Sequence, residues 1–252
     1  MQAETIDEVI AYLEDIIQTS RERNSRLGDF PALYKRVTIA VKEAIANGEF
    51  HNGPRMEKLD VIFANRYLAA YTEFMTGAEA STSWMIAFNA TQRWRPIVLQ
   101  HLFLGMNAHI NLDLGVAAAT VSPGNDLQSL EHDFNKINVI LSSLINEVQD
   151  ELAQIWPPMK WIDRFFGKTD EWLASFSMEK AREQAWKVAQ SLAFLTGDER
   201  EKKIAEIDAE VAVFGDFIAH PGIILSLVAL IIRLKEPRSV VKIIDILNRT
   251  TP

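Results

Sequence analysis

His109 and Asp113 stand four residues apart in "LGMNAHINLDLG", residues 104–115. On an α-helix that spacing is about one turn, so imidazole and carboxylate share a face. Such a pair can hold a divalent cation, or act as an acid–base couple in which the carboxylate orients the ring. His101 lies two turns earlier, and Gly105 between them offers no side chain to obstruct the face. Asn107 and Asn111 form a second polar pair on another face. Ile97, Leu102, Leu104, Ile110, Leu112 and Leu114 surround these groups on all sides. A helix that is hydrophobic all round is buried. A buried polar group without a partner costs roughly 1–3 kcal/mol, more if charged. The Asn pair reads first as glue bonded to neighbouring backbone. Several ionisable groups in one apolar wall are harder to explain by packing alone, and they mark a candidate site.

Further groups must come from other segments. Asp60 and Arg66 sit in "MEKLDVIFANRYL"; Asp133 follows His132 in "LEHDFNKIN". His101, His109 and Asp113, completed by Asp60 or Asp133, are the ligand types that Zn, Mn or Fe takes without thiolates. Bound metal would lower the pKa of water and supply hydroxide, which suits hydrolysis of a phosphoester or related bond. The alternative dispenses with metal. His109 is then a general base held by Asp113, with Asn107, Asn111 and Arg66 as further polar groups, acting on an apolar small molecule between helices. A third reading is a non-catalytic helical protein that binds a lipid or a partner. Trp156, Trp161, Phe165 and Phe166 in "WPPMKWIDRFFG" would form its aromatic lip, against the plainer reading that they cap the core. Arg182 and Trp186, one turn apart, read as a packed cation–ring pair.

The elements that must position these residues are helices. "TIDEVIAYLEDIIQ" repeats apolar residues at three-and-four spacing behind the cap Thr5. Asp29 and Pro31 start a second helix and Gly48 stops it; a third spans "PRMEKLDVIFANRYLAAYTEFMTG" and ends at Gly77. Ser81 or Thr82 caps a short fourth. A fifth begins near Pro96 and runs through the polar stretch to the loop "SPGN", residues 122–125. A long helix follows over about 126–154, and others over about 178–196, 198–215, 221–234 and 238–248. No two-residue alternation is sustained, so no sheet is expected. The expected fold is all-α: a single compact bundle of roughly ten helices over 1–252. A site-bearing part, 1–155, and a C-terminal part, 156–252, are its possible subdivisions.

Composition narrows the classes. The chain has 252 residues, a formal charge of −8 and no cysteine. An acidic chain without a Lys/Arg block is a poor nucleic-acid binder, and disulfides, thiolate ligands and a Cys nucleophile are excluded. The acidic, interrupted N-terminus does not read as a signal peptide. "GIILSLVALIIRL", residues 222–234, is well short of the roughly 20 residues a membrane span needs, so it reads as a buried core helix, with no transmembrane segment. A cytoplasmic location is expected. The oligomeric state has no signature. No serine nucleophile elbow, di-iron E-x-x-H pair, P-loop or dinucleotide fingerprint is present, so no nucleotide cofactor is expected.

"MEKLDVIFANRYL", "QHLFLGMNAHINLDLGVAAA", "DFNKIN" and "KAREQAW" together resemble a bacterial family known only as domain of unknown function 5995. The resemblance runs from about Phe30 to beyond Trp186, with "GMNAHINLDLG" its most specific part. It implies a helical domain and carries no catalytic residues over. The order His109, His132–Asp133, then Asp163 or Asp216 is also similar, weakly, to the H…HD…D order of the HD phosphohydrolases.

Overall fold

The computed structural model describes residues 1–155 and 178–249, and among them the regular structure is entirely helical. The helices are α1 (Ile6–Glu22), α2 (Asp29–Ala46), α3 (Gly53–Thr76), α4 (Thr82–Thr91), α5 (Val98–Ala108), α6 (Gly115–Val121) and α7 (Leu127–Ile155). After them come α8 (Met178–Leu192), α9 (Gly197–Ala219), α10 (Gly222–Lys235) and α11 (Val240–Leu247). Trp156, Trp161, Asp163, Phe165 and Phe166 lie outside the described residues.

The helix ends follow local chemistry. Thr5 accepts from the Glu8 N–H at the start of α1, and Asn52 from the Arg55 N–H at the start of α3. Gly77 ends α3 in the left-handed region, at φ 78°, where a side chain would be strained. Two starts are capped from elsewhere in the chain. Asp208 of α9 accepts from the backbone N–H groups of Thr82 and Ser83 and from the Ser83 hydroxyl, at 2.7, 3.0 and 2.6 Å. Glu236 accepts from the Val98 N–H at 2.9 Å.

The segment 98–121 is the axis of the molecule. Between α5 and α6 the residues His109–Leu114 form a π-helical turn, so the three pieces make one continuous helix with a wide middle. Three apolar clusters meet on it. One joins α3, α6, α7 and α8, a second joins α1 to α5, and a third joins α5 to α1, α2 and α11. Its two glycines are places of close approach. A Cβ on Gly115 would lie 2.5 Å from a Val188 methyl and 2.7 Å from the Ala185 carbonyl of α8. A Cβ on Gly105 would lie 2.4 Å from the Phe30 ring.

One expectation fails. The greasy run 222–234 does form a helix, α10, but not a buried one: Ile223, Ile224, Leu227, Ile231 and Leu234 are all more than half exposed. Only Val228 is buried, while Ala229 and Ile232 rest against the third cluster. Hydrophobicity announced a helix, but could not tell an inner position from an outer one.

Candidate functional site

His109 is 2 % exposed and lies at the head of the π-turn. Its Nδ1 lies 3.4 Å from Asp113 Oδ2. A turn wider than 3.6 residues brings positions four apart closer to alignment, so the pair sits nearly one above the other. Asp113 is tied from two other helices: Arg66 Nε donates to Oδ1 at 2.7 Å, and Trp84 Nε1 donates to Oδ2 at 2.8 Å. Burial alone would raise the Asp113 pKa, but the Arg66 charge and the His109 and Trp84 hydrogen bonds outweigh it and hold it below the usual range. Burial lowers His109, against the pull of Asp113, so the ring is neutral at pH 7.

Aromatic rings enclose this couple. Phe63 stacks on the imidazole at 3.6 Å and 9°, and Tyr34 meets it edge-on at 4.4 Å. Phe30, Trp84 and Tyr67 stand at 5.7, 6.0 and 6.2 Å. With Nδ1–H directed to Asp113, Nε2 keeps its lone pair, and that atom is buried without a partner. Phe63 and Arg66 are the partly exposed members of the group.

The remaining sequence candidates are placed as follows. Asn107 donates to the Val211 carbonyl of α9 at 2.9 Å, and Asn111 donates to Asn107 Oδ1 at 2.9 Å, the bonding expected of polar glue. Asp60 is buried near Tyr34. Burial, then the charge of Glu57, raises its pKa to about 7, and its Oδ2 has no partner. His101 does not join His109: the space at Gly105 is filled by Phe30. Neither His101 nitrogen has a partner, and burial lowers its pKa to about 4. It borders a small cavity, with about 20 Å³ of room for a water-sized occupant, beside Tyr67, Trp84, Phe88 and Thr91.

Asp133 lies elsewhere, anchoring the start of α3. It accepts from the His51 and Asn52 N–H groups at 2.8 and 2.9 Å, with Arg55 at 3.8 Å. Among the described residues, the five candidate ligands His101, His109, Asp113, Asp60 and Asp133 supply no three donor atoms within coordinating reach of each other. His51, His132 and Asp133 do, with their donor atoms within 4.8 Å, and could hold a metal. The two imidazoles stack at 3.9 Å and 4°. Both are exposed while Asp133 is buried. His132–Asp133 therefore serves a different place from His109, and Asp216 pairs with His220 at 3.0 Å, so these positions of the HD order do not converge.

Arg182 lies over Phe134 at 4.4 Å and donates to its carbonyl, while Trp186 packs on the same ring at 5.0 Å. The cation and the indole thus share Phe134.

Trp84, Tyr34, Phe63 and His51 were not among the sequence candidates. The first three look like core aromatics in sequence, and only their geometry around residue 109 singles them out. His51 sits in the turn before α3, and nothing in its neighbours announces a partner in α7. No curated protein and no solved structure matches the chain. A model described as "Family of unknown function (DUF5995)" matches residues 6–221, from α1 to just beyond α9 and across every residue of both sites, and the chain belongs to that family.

Proposed function

We propose that the chain is an acid–base enzyme acting at His109 on a small, mostly apolar molecule. One observation carries this reading: Nδ1 of a neutral, buried imidazole faces Asp113, while Nε2 is left without a partner inside an aromatic enclosure. Nε2 would take a proton from a water molecule as that water attacks the substrate's acyl carbon, and the leaving alkoxide or phenoxide departs as the acyl C–O bond breaks. The imidazolium formed would be stabilised by Asp113, which Arg66 and Trp84 keep ionised and in place. The 3.4 Å contact is long, as catalytic hydrogen bonds often are before substrate binds. Phe63, closest to the ring and partly exposed, is the cover that moves for entry.

The test uses p-nitrophenyl acetate as a small apolar probe in the presence of EDTA. Wild-type protein should hydrolyse it about 10²–10⁴-fold faster than the His109→Gln variant, the usual range for a positioned acid–base group. The rate should rise with pH as the His109 ring deprotonates. Equal rates for the two proteins would overturn the proposal.

A second reading rests on His51, His132 and Asp133. Two imidazoles and a carboxylate form a nitrogen–oxygen donor set suited to Zn, Mn or Fe, and would hold a metal able to activate water for phosphoester hydrolysis. The fit is incomplete. Parallel rings aim their nitrogens side by side, and both Asp133 oxygens already accept backbone N–H groups. Exposed imidazoles can rotate to converge. Metal analysis of protein purified without chelator, and again after adding Zn²⁺ or Mn²⁺, should approach one ion per chain. A His51→Ala/His132→Ala variant should retain none. Metal content that stays far below one ion per chain would dismiss this reading without touching the first.

A further inference from the structure

The surface around α10 combines two observations. Ile223, Ile224, Leu227, Ile231 and Leu234 are 83, 73, 57, 53 and 67 % exposed. At about 100° per residue they fall within roughly 100° of arc, so they form one stripe along the helix. The opposite side, with Val228, Ala229 and Ile232, is seated on the body of the protein. Single exposed apolar side chains are ordinary, but a continuous row of five marks an interaction surface.

The second observation is charge. The chain carries 34 acidic residues, yet segments 82–112 and 217–235 contain none. These segments meet at α10. Arg93 lies 3.1 Å from His220, at the entry to α10, and Arg233, near its exit, donates to the Trp94 carbonyl and stands 5.8 Å from the Trp94 ring. The loop bearing Arg93, Trp94 and Arg95 therefore runs beside the helix, and all three residues are exposed. Lys235 and Arg238 are exposed at the other end. Glu236, the nearest carboxylate in the chain after α10, is buried and engaged by Arg233 and the Val98 N–H. Asp216, before the helix, is paired with His220.

We propose that α10 seats the protein on an anionic lipid surface. The aliphatic stripe enters the boundary between headgroups and acyl chains, Trp94 lies at headgroup level, and Arg93, Arg95, Lys235 and Arg238 face lipid phosphates and carboxylates. The helix rests on the bilayer and does not cross it. Its 14 residues span about 21 Å, less than the roughly 30 Å hydrocarbon core, and its other side is packed on protein. A second copy of this chain would bring the same excess of cations against itself, whereas an anionic membrane neutralises it. The surface goes beyond the reading of His109 and stands or falls independently of it.

Sedimentation of full-length protein with phosphatidylcholine vesicles, and with vesicles containing about a third phosphatidylserine, tests this. Wild-type protein should pellet with the serine-containing vesicles, and the pelleted fraction should fall as salt rises. Leu227→Asp/Ile231→Asp should abolish pelleting. Arg95→Ser and Lys235→Ser should each weaken it about fivefold, the effect of losing about 1 kcal/mol per cation. All four positions are exposed, so the variants should keep the wild-type circular dichroism spectrum and melting temperature. Wild-type protein that stays in the supernatant, or binds both vesicle types equally, would overturn the proposal. So would light scattering that shows a dimer which Leu227→Asp/Ile231→Asp splits, because the stripe would then belong to a second copy.

Discussion

His101 and Asp60 are buried ionisable groups whose hydrogen-bonding capacity goes unmet, and each ties stability to pH with opposite sign. Burial lowers His101 from 6.5 to about 4. Between those values the unfolded chain holds a proton there that the folded chain lacks, so this group's contribution declines as pH falls from 6.5 towards 4. A His101→Phe variant has no such proton. Its stability relative to wild type should therefore grow by about 3 kcal/mol between pH 7 and pH 4, read from urea unfolding at both. A constant difference would show that His101 is solvated. Asp60 is raised from 3.8 to about 7, so its contribution is present below pH 4 and lost as pH rises through 7. Asp60→Asn should gain on wild type by about 4 kcal/mol from pH 4 to pH 8 in the same experiment. A gap that stays flat with pH would place the Asp60 carboxylate in contact with water.

At the scale of elements, caps and close approaches decide what was readable. Thr5, Gly48 and Gly77 act within a turn of themselves, so the start of α1 and the ends of α2 and α3 were visible in sequence. Asp29, expected to start α2, makes no cap bond, and both its carboxylate oxygens are buried without a partner. The burial of 98–121 was visible too, because residues of every orientation around it are apolar. The π-turn was not. It shifts hydrogen bonds by one residue and leaves no compositional mark, and in the fold it adjoins Gly115, where α8 presses on the backbone. The Asp208 cap on α4 was equally hidden, being 125 residues from Ser83. That cap carries a prediction. Asp208→Ala should lower stability by about 1–2 kcal/mol with an unchanged urea m-value, as other lost caps do. α4 also carries Trp84, whose indole holds Asp113. Loosening its first turn should therefore shift the His109 imidazole resonances in NMR spectra, while those of His51 and His132 stay in place. Unmoved His109 signals would separate α4 from the site.

At the scale of the molecule, the family match stops at residue 221, yet the chain beyond it is built into the same core. Ile243, Ile244, Ile246 and Leu247 of α11 are at most 2 % exposed and pack with Ile17, Ala32, Leu99 and Leu102. Ile244 also occupies the space that a side chain at residue 28 would need, 2.6 Å from where a Cβ on Gly28 would stand. Arg21 of α1 pairs with Asp245 at 2.9 Å, and Glu236 caps the very helix that carries His101 and leads into His109. Removing residues 222–252 would uncover this cluster and leave the Val98 N–H without its acceptor. The inner and outer faces of the segment should then answer mutation very differently. Ile244→Ala, at a buried position, should cost about 2–5 kcal/mol, the range for large-to-small changes in a core. Leu227→Ala, on the exposed stripe of α10, should change stability by no more than about 0.5 kcal/mol. Urea midpoints of the two variants measure the contrast. If Ile244→Ala proves as mild as Leu227→Ala, α11 is an appendage, and the helix bearing His109 is held by the family region alone.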